Sequence, residues 1–292
     1  MKEKAPGMAS LCELYRIGRG PSSSHTMGPS HACRAVKERY PDATRFEVTL
    51  YGSLSKTGKG HRTDYAIRKT LGEDRVSIAF DNEKTDLAHP NTMEIAAFAG
   101  DKLLCRKTVY SIGGGAIRFA DEKEKKEVLP YPDVSFAAIE ERLIKENLTL
   151  PEYAEKYEGK ELRTYMALVL DRMKRTVKNG LTDEGIIPGG LNIPRKAKKL
   201  FAIGQGKDYG HEKEIYLISA YAYAASEENA CGEEMVTAPT CGASGVLPAV
   251  LLFKQRERGY SDEELISALE VAGIVGNLIK TNASISGADC GC

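Results

Sequence analysis

The sequence has no surplus of either charge. Lys and Arg total 41, Asp and Glu total 41, and the formal net charge over 292 residues is zero. A broad nucleic-acid or anionic-membrane surface needs a basic excess, so neither partner is expected. Long apolar runs are also missing. The most notable charge-free stretch, Gly245 to Phe253, is too short to span a bilayer and carries Pro248. The opening residues from Met1 to Ser10 hold no apolar leader core, so a cytoplasmic location is the default. Cysteine is too sparse and too scattered for a disulfide framework. There are seven, an odd number, and Cys12, Cys33, Cys105, Cys231 and Cys241 lie far apart. Isolated Cys33 and Cys105 are expected to act as small buried hydrophobes. No repeat of solenoid period is present.

The composition that remains is that of an ordinary globular protein, with 42% hydrophobic and 28% charged residues. The length suggests two domains. Phe46, Val48 and Leu50 alternate with Glu47 and Thr49, which predicts a half-buried strand over Arg45 to Tyr51. Further strands are expected over Arg75 to Phe80, Thr92 to Ala99 and Leu103 to Ile112. Helices are expected between them, over Pro29 to Arg39 and over Thr63 to Leu71, with Thr63 as N-cap and Gly72 as stop. Beyond about residue 133 the spacing turns helical. The pattern predicts helices over Ser135 to Leu148, over Leu162 to Lys178 with Gly180 as stop, and over Lys213 to Ala225. A further helix opens on a capping box at Ser261 and Glu264 and runs to about Ile279. Residues 180–206, with the basic run Arg195 to Lys199, read as a solvated loop. The expected class is α+β. An α/β sandwich domain over 1–130 is followed by a helical connecting region over 131–180 and an all-helical domain over 181–292.

Four polar, glycine-flanked clusters are candidates for chemistry. Gly20 to Pro29 crowds Ser22, Ser23, Ser24, His25 and Thr26 between Gly and Pro brackets. Such a loop can offer hydroxyls and backbone N–H groups to a carboxylate or phosphate, or can simply cap the next helix. Tyr51 to Asp64 evokes a phosphate-binding loop but does not match one, because Ser53 stands at the first glycine position and Gly60-His61 follows Lys59. His61 in that segment is a candidate general base with Asp64 as its orienting partner, or an ordinary loop histidine. Val236 to Gly245 is either a small-ligand cradle or a helix–helix connection. Lys280 to Cys292 leads hydroxyls and amides into a Cys-x-Cys pair, a spacing compatible with metal or iron–sulfur ligation that does not complete a site alone.

These blocks, taken together, resemble the bacterial iron–sulfur L-serine dehydratases. The resemblance rests on Ser22 to Pro29, Tyr51 to Leu54 with Thr57 to His61, and Tyr110 to Gly115. It continues through Glu228-Asn229-Ala230, Val236 to Thr240 and Asn282 to Ala288, in the family's order and across nearly the whole chain. It implies an N-terminal domain like the allosteric substrate-binding domain of some phosphoglycerate dehydrogenases, then a helical catalytic domain holding a 4Fe-4S cluster. Three family cysteines hold three irons, and the remaining iron binds substrate. Cys292 matches the first of those ligand positions, whereas Cys290 does not. The family's other two cluster cysteines have no match in this chain. The expectation is therefore a truncated catalytic domain, inactive alone unless those ligands are supplied, with the apolar face of Leu265, Leu269 and Leu278 left uncovered.

The implied reaction is dehydration of L-serine to pyruvate and ammonia. An open iron assists departure of the hydroxyl while a base takes the α-proton. The resemblance makes His61 the base and His25 the second choice, with Ser24 and Lys59 beside them and Lys59 on the substrate carboxylate. Ser22, Ser23, Thr26, Thr281, Asn282, Ser284 and Ser286 bind substrate, and Cys292 binds metal. The expected assembly is a homodimer, or a complex with a chain that carries the missing segment. Two alternatives stay open: a non-catalytic serine-binding fragment or subunit, and a pyridoxal-phosphate lyase using Lys59 or Lys280.

Overall fold

A computed structural model describes residues 6–122, 129–207 and 210–282. The chain divides into two compact units. The first comprises Met1–Ile17, Lys126–Ala230 and Met235–Cys292, and the second Gly18–Lys125 with Cys231–Glu234. The order begins with the short helix α1 (Leu11–Leu14) and the short strand β1 (Ile17–Arg19).

The second unit is a helix-backed sheet. Its helices are α2 (Gly28–Arg39), α3 (Gly52–Thr57) and α4 (Thr63–Leu71). Its strands are β2 (Arg45–Tyr51), β3 (Val76–Asp81), β4 (Thr92–Ala99), β5 (Lys102–Gly113) and β6 (Ala116–Phe119), in the order β3-β2-β4-β5-β6. β2 and β3 run parallel and the other pairs antiparallel. A parallel pair needs a crossover, and α3 with α4 supplies it. The alternation in β2 has its expected result, with Phe46, Val48 and Leu50 buried. They pack with Ile95 and Val109 against Ala32, Cys33 and Val36 of α2 and Ile67 and Leu71 of α4. Each fully buried large aliphatic or aromatic side chain contributes about 1.5–3 kcal/mol of transfer free energy. Cys33 and Cys105 are part of this core, as expected for small hydrophobes.

Helix α4 covers the expected residues, but Thr63 is not its N-cap. Arg62 occupies that position in the left-handed region at φ 54°, and Thr63 is the first helical residue. The Thr63 hydroxyl is spent elsewhere, donating to the His25 carbonyl at 2.6 Å. Gly72 ends the helix as predicted, at φ 106°.

The first unit is helical. It contains α1, α5 (Phe136–Glu146), α6 (Leu150–Glu158), α7 (Glu161–Thr182), α8 (Ala197–Gln205), α9 (His211–Ala230), α10 (Val246–Arg258) and α11 (Asp262–Asn282). The capping box that opens α11 is formed. Glu264 N–H donates to Ser261 Oγ at 3.3 Å, and Ser261 N–H donates to Glu264 Oε2 at 2.7 Å. Ser135 caps α5 through the Ala138 N–H. One core gathers Tyr131, Tyr153, Met166, Val169 and Met173 with Leu11, Tyr15 and Ile274, and a second gathers Val177, Leu217, Tyr221, Ala224 and Phe253. Leu265 and Leu269 are buried in the first core, which corrects the expectation of an uncovered face there. Among the described residues no helix is long and apolar enough to cross a membrane.

Two further expectations are corrected. Gly180 does not stop α7, which continues to Thr182. A Cβ at Gly180 would lie 2.2 Å from the Ala224 carbonyl oxygen, so the glycine lets α7 and α9 approach closely. The basic run at 195–199 is solvated at Lys196, Lys198 and Lys199, as expected, but α8 begins within it at Ala197 and Arg195 departs from that reading. Arg195 is nearly buried and pairs with equally buried Glu228 at 2.7 Å. The Lys196 and Ala197 N–H groups donate to Glu227, which caps α8 from α9.

Candidate active site

In the second unit the seryl loop folds into a π-helical turn, Ser23–Met27, that runs directly into α2. Such turns are rare and occur often at functional positions. Ser22 caps it, accepting from the His25 N–H at 3.1 Å; the loop therefore caps this turn, whereas α2 itself, which it was expected to cap, has no side-chain cap. The turn is also clamped from outside. Ser111 of β5 donates to the Ser24 carbonyl at 2.7 Å, and Thr63 of α4 donates to the His25 carbonyl. Ser111 can come this close only because position 28 is glycine, where a Cβ would meet its Oγ at 2.1 Å. The sheet and α4 thereby fix the backbone that presents the seryl hydroxyls.

His25 is held at both ring nitrogens. Nδ1 is 2.9 Å from Ser24 Oγ and Nε2 is 2.9 Å from Ser53 Oγ. Its ring lies 4.6 Å, centroid to centroid, from that of His61. Burial, and then the charge of His61, pull His25 down to about 4, so it is neutral at physiological pH. A neutral imidazole has one N–H and one lone pair, and each serine hydroxyl can serve either need.

His61 is set differently. Its Nδ1 lies 3.0 Å from the Thr57 carbonyl oxygen. A carbonyl oxygen only accepts, so Nδ1 carries a hydrogen, and in the neutral form of the ring the lone pair is on Nε2. Asp64 is not the orienting partner expected from the sequence, since its Oδ1 accepts from the Tyr65 N–H at 2.9 Å. The backbone of His61 is tied to the seryl turn by Thr26, whose hydroxyl donates to the His61 carbonyl at 2.6 Å.

The turn thus gathers Ser22, Ser23, Ser24, His25, Thr26 and His61. Lys59 does not join these bonds, and its ammonium lies 5.5 Å from the centre of the Phe80 ring. Thr281 and Asn282 close α11 in the other unit, where the Asn282 amide donates to the Val134 and Leu278 carbonyls at 2.9 Å. Ser284, Ser286 and Cys292 lie outside the described residues. Thr237, in the third polar cluster, donates to the Leu14 carbonyl at 2.6 Å and accepts from the Arg16 N–H at 2.8 Å, which latches α1. Sequence reasoning missed Ser53, the second partner of His25. Its signal was weak, a serine in a near-match to a phosphate-binding loop.

The described residues do not fit an iron–sulfur cluster. They contain no group of three His, Cys, Asp or Glu side chains able to hold a metal. The Cys33 thiol is fully buried among apolar side chains, and burial raises its pKa, which opposes the thiolate a metal needs. Cys12 is raised as well, by burial first and then by the charge of Glu158, against the opposing hydrogen bond of Ser10.

The serine dehydratase beta chain family matches residues 10–76, and the serine dehydratase alpha chain family matches residues 81–292. L-serine dehydratase 2 of Escherichia coli (strain K12) is 35% identical, over 98% of this chain and 74% of that protein. L-serine dehydratase of Haemophilus influenzae is 33% identical, over 98% of this chain and 75% of that one. L-serine dehydratase of Helicobacter pylori is 30% identical, over 97% and 74%. With both family matches and relatives at this level over nearly its full length, the chain belongs to the serine dehydratase family.

Proposed function

We propose that this protein is an L-serine dehydratase in which His61 removes the α-proton of the substrate. Family membership and the names of the relatives support the reaction. The observation that carries the base assignment is the bond from His61 Nδ1–H to the Thr57 carbonyl, which makes Nε2 the acceptor nitrogen of the neutral ring. His25, neutral and tilted against His61 at 4.6 Å between ring centres, adds no competing positive charge.

In the proposed reaction Nε2 of His61 takes the proton from Cα and the electron pair forms the Cα–Cβ double bond. The β-hydroxyl leaves as water, taking up the proton that His61 has received from Cα. The aminoacrylate tautomerises to an imine, and water releases pyruvate and ammonia. The Ser22, Ser23 and Ser24 hydroxyls orient the substrate, and Lys59 holds its carboxylate, as charge-assisted bonds do best. Thr26, expected from the sequence to bind substrate, is fully buried with its hydroxyl donated to the His61 carbonyl, so it positions that backbone instead. The 4Fe-4S cluster that the family resemblance implies, with Cys292 as one ligand, belongs to the same proposal and rests on a residue outside the described ones.

The test follows pyruvate and ammonia from L-serine after anaerobic reconstitution with iron and sulfide. The expected result is turnover that falls by about 10²–10⁴ in His61→Ala. An unaffected His61→Ala variant would remove the base assignment, and absence of pyruvate would remove the activity.

A further inference from the structure

A cavity of about 510 Å³ opens in the second unit between α3 and the segment that follows β3. Its lining includes Ser53, Lys56, Thr57, Asn82, Lys84 and Pro90, and no acidic side chain. Lys56 and Lys84 form no ion pair among the described residues, and the Lys84 ammonium is steadied 4.7 Å from the centre of the Tyr51 ring. The neighbouring Asp81 carboxylate is occupied, because its Oδ1 accepts from the Glu83 and Lys84 N–H groups at 2.9 and 3.1 Å. Asn82 is fixed through its carbonyl oxygen, which accepts from the Ser55 hydroxyl at 2.9 Å, so its amide N–H groups remain to be used. The two walls are pinned together by the bond from Ser53 N–H to the Pro90 carbonyl at 2.8 Å. Two ammonium groups without an ion-pair partner among the described residues, an amide donor and hydroxyls around one hollow are complementary to two negative charges, although Asp81, Glu83 and Asp86 stand in the same segment as Lys84.

We propose that this cavity binds a small dianion, a phosphate monoester or a dicarboxylate, and that Ser53 transmits its occupancy to His25. The hydroxyl of Ser53 lines the cavity and is also the partner of His25 Nε2. It has one hydrogen. When a bound anion takes that hydrogen, Ser53 can only accept from His25, so Nε2 must carry the imidazole proton and Nδ1 must accept from Ser24. Occupancy therefore selects one tautomer of the ring that lies against His61. The binding site does not depend on the L-serine reading, and its readouts do not involve turnover.

The experiment titrates the intact chain with inorganic phosphate and, separately, with succinate. Calorimetry reads binding, and long-range proton–nitrogen spectra read the histidine rings, against sodium chloride at matched ionic strength. The expected result is saturable binding of at least one of the two, with the His25 ring nitrogens moving to the Nε2–H pattern. Tighter phosphate binding identifies a phosphate ester as the ligand source, and tighter succinate binding a dicarboxylate. Lys56→Gln and Lys84→Gln should each weaken binding about tenfold, as loss of one charge-assisted contact does. Lys102→Gln, on β5, should leave it unchanged. Acetylation footprinting of the unmutated protein is a check that needs no variant, and Lys56 and Lys84 should be protected by the anion while Lys102 is not. No response beyond that to chloride, or full binding by the two lysine variants, would overturn the site. Binding without any change at the His25 ring would overturn the coupling through Ser53.

Discussion

Replacing His25 with glutamine keeps an amide donor and an acceptor between Ser24 and Ser53 but removes the group that titrates. In the folded protein burial, together with the charge of His61, holds His25 at about 4. In the unfolded chain it titrates near about 6.5. Between those values the unfolded chain binds a proton that the folded protein refuses. A histidine depressed in this way stabilises nothing extra at low pH. Its contribution is present above the unfolded value and is lost as pH falls toward the folded one. One proton over this window is worth about 3.4 kcal/mol before screening. The ring is partly open to solvent, which reduces the expected effect to about 2 kcal/mol. Urea unfolding of both proteins from pH 7.5 down to 4.5, at constant ionic strength, measures it. Titrations shared by the two chains cancel in the difference. The wild type should lose about 2 kcal/mol relative to His25→Gln across that range, nearly all of it below pH 6.5. Parallel stability curves would refute the assignment of His25 as a buried neutral ring.

Two further outcomes follow from the first unit. Gly180→Ala puts a Cβ 2.2 Å from the Ala224 carbonyl oxygen, so α7 and α9 must part. Overpacking of about 1–3 kcal/mol outweighs the alanine helix preference of about 1 kcal/mol, and the melting temperature should fall by a few degrees. An equal or higher melting temperature would contradict the close approach. Glu270 is fully buried, with Oε1 unpartnered and Oε2 3.5 Å from Arg163, which also bonds Glu155 and Glu263. Burial above all raises it to about 7. Its folded value lies above its unfolded one, so its contribution is present at low pH and lost as pH rises through 7. Glu270→Gln should therefore gain on the wild type in urea unfolding between pH 5 and 8, and no change in the gap would contradict the burial.

The legibility of this chain varied with the range of the interactions involved. The strand Arg45–Tyr51 and the helix over 63–71 were readable because alternation and helical spacing are local patterns, and burial of Phe46, Val48 and Leu50 follows directly from them. Gly180 was misread because a glycine marks a helix end on local grounds, whereas Ala224 on another helix decides its role. The ties of Arg195 and of the Lys196 N–H were missed for the same reason, since their partners Glu228 and Glu227 lie about thirty residues away. In the candidate site the seryl turn was visible as contiguous residues from Ser22 to Thr26. The links from His25 to Ser53 and to His61 were not, because they depend on how α3 and α4 return against the turn.

The central claim is proton abstraction from Cα by His61. Its most direct test is turnover of L-serine carrying deuterium at Cα, by the reconstituted protein and by His61→Ala. The account predicts a normal primary isotope effect on pyruvate release in the wild type and loss of nearly all turnover in the variant. Undiminished pyruvate release by His61→Ala would contradict it.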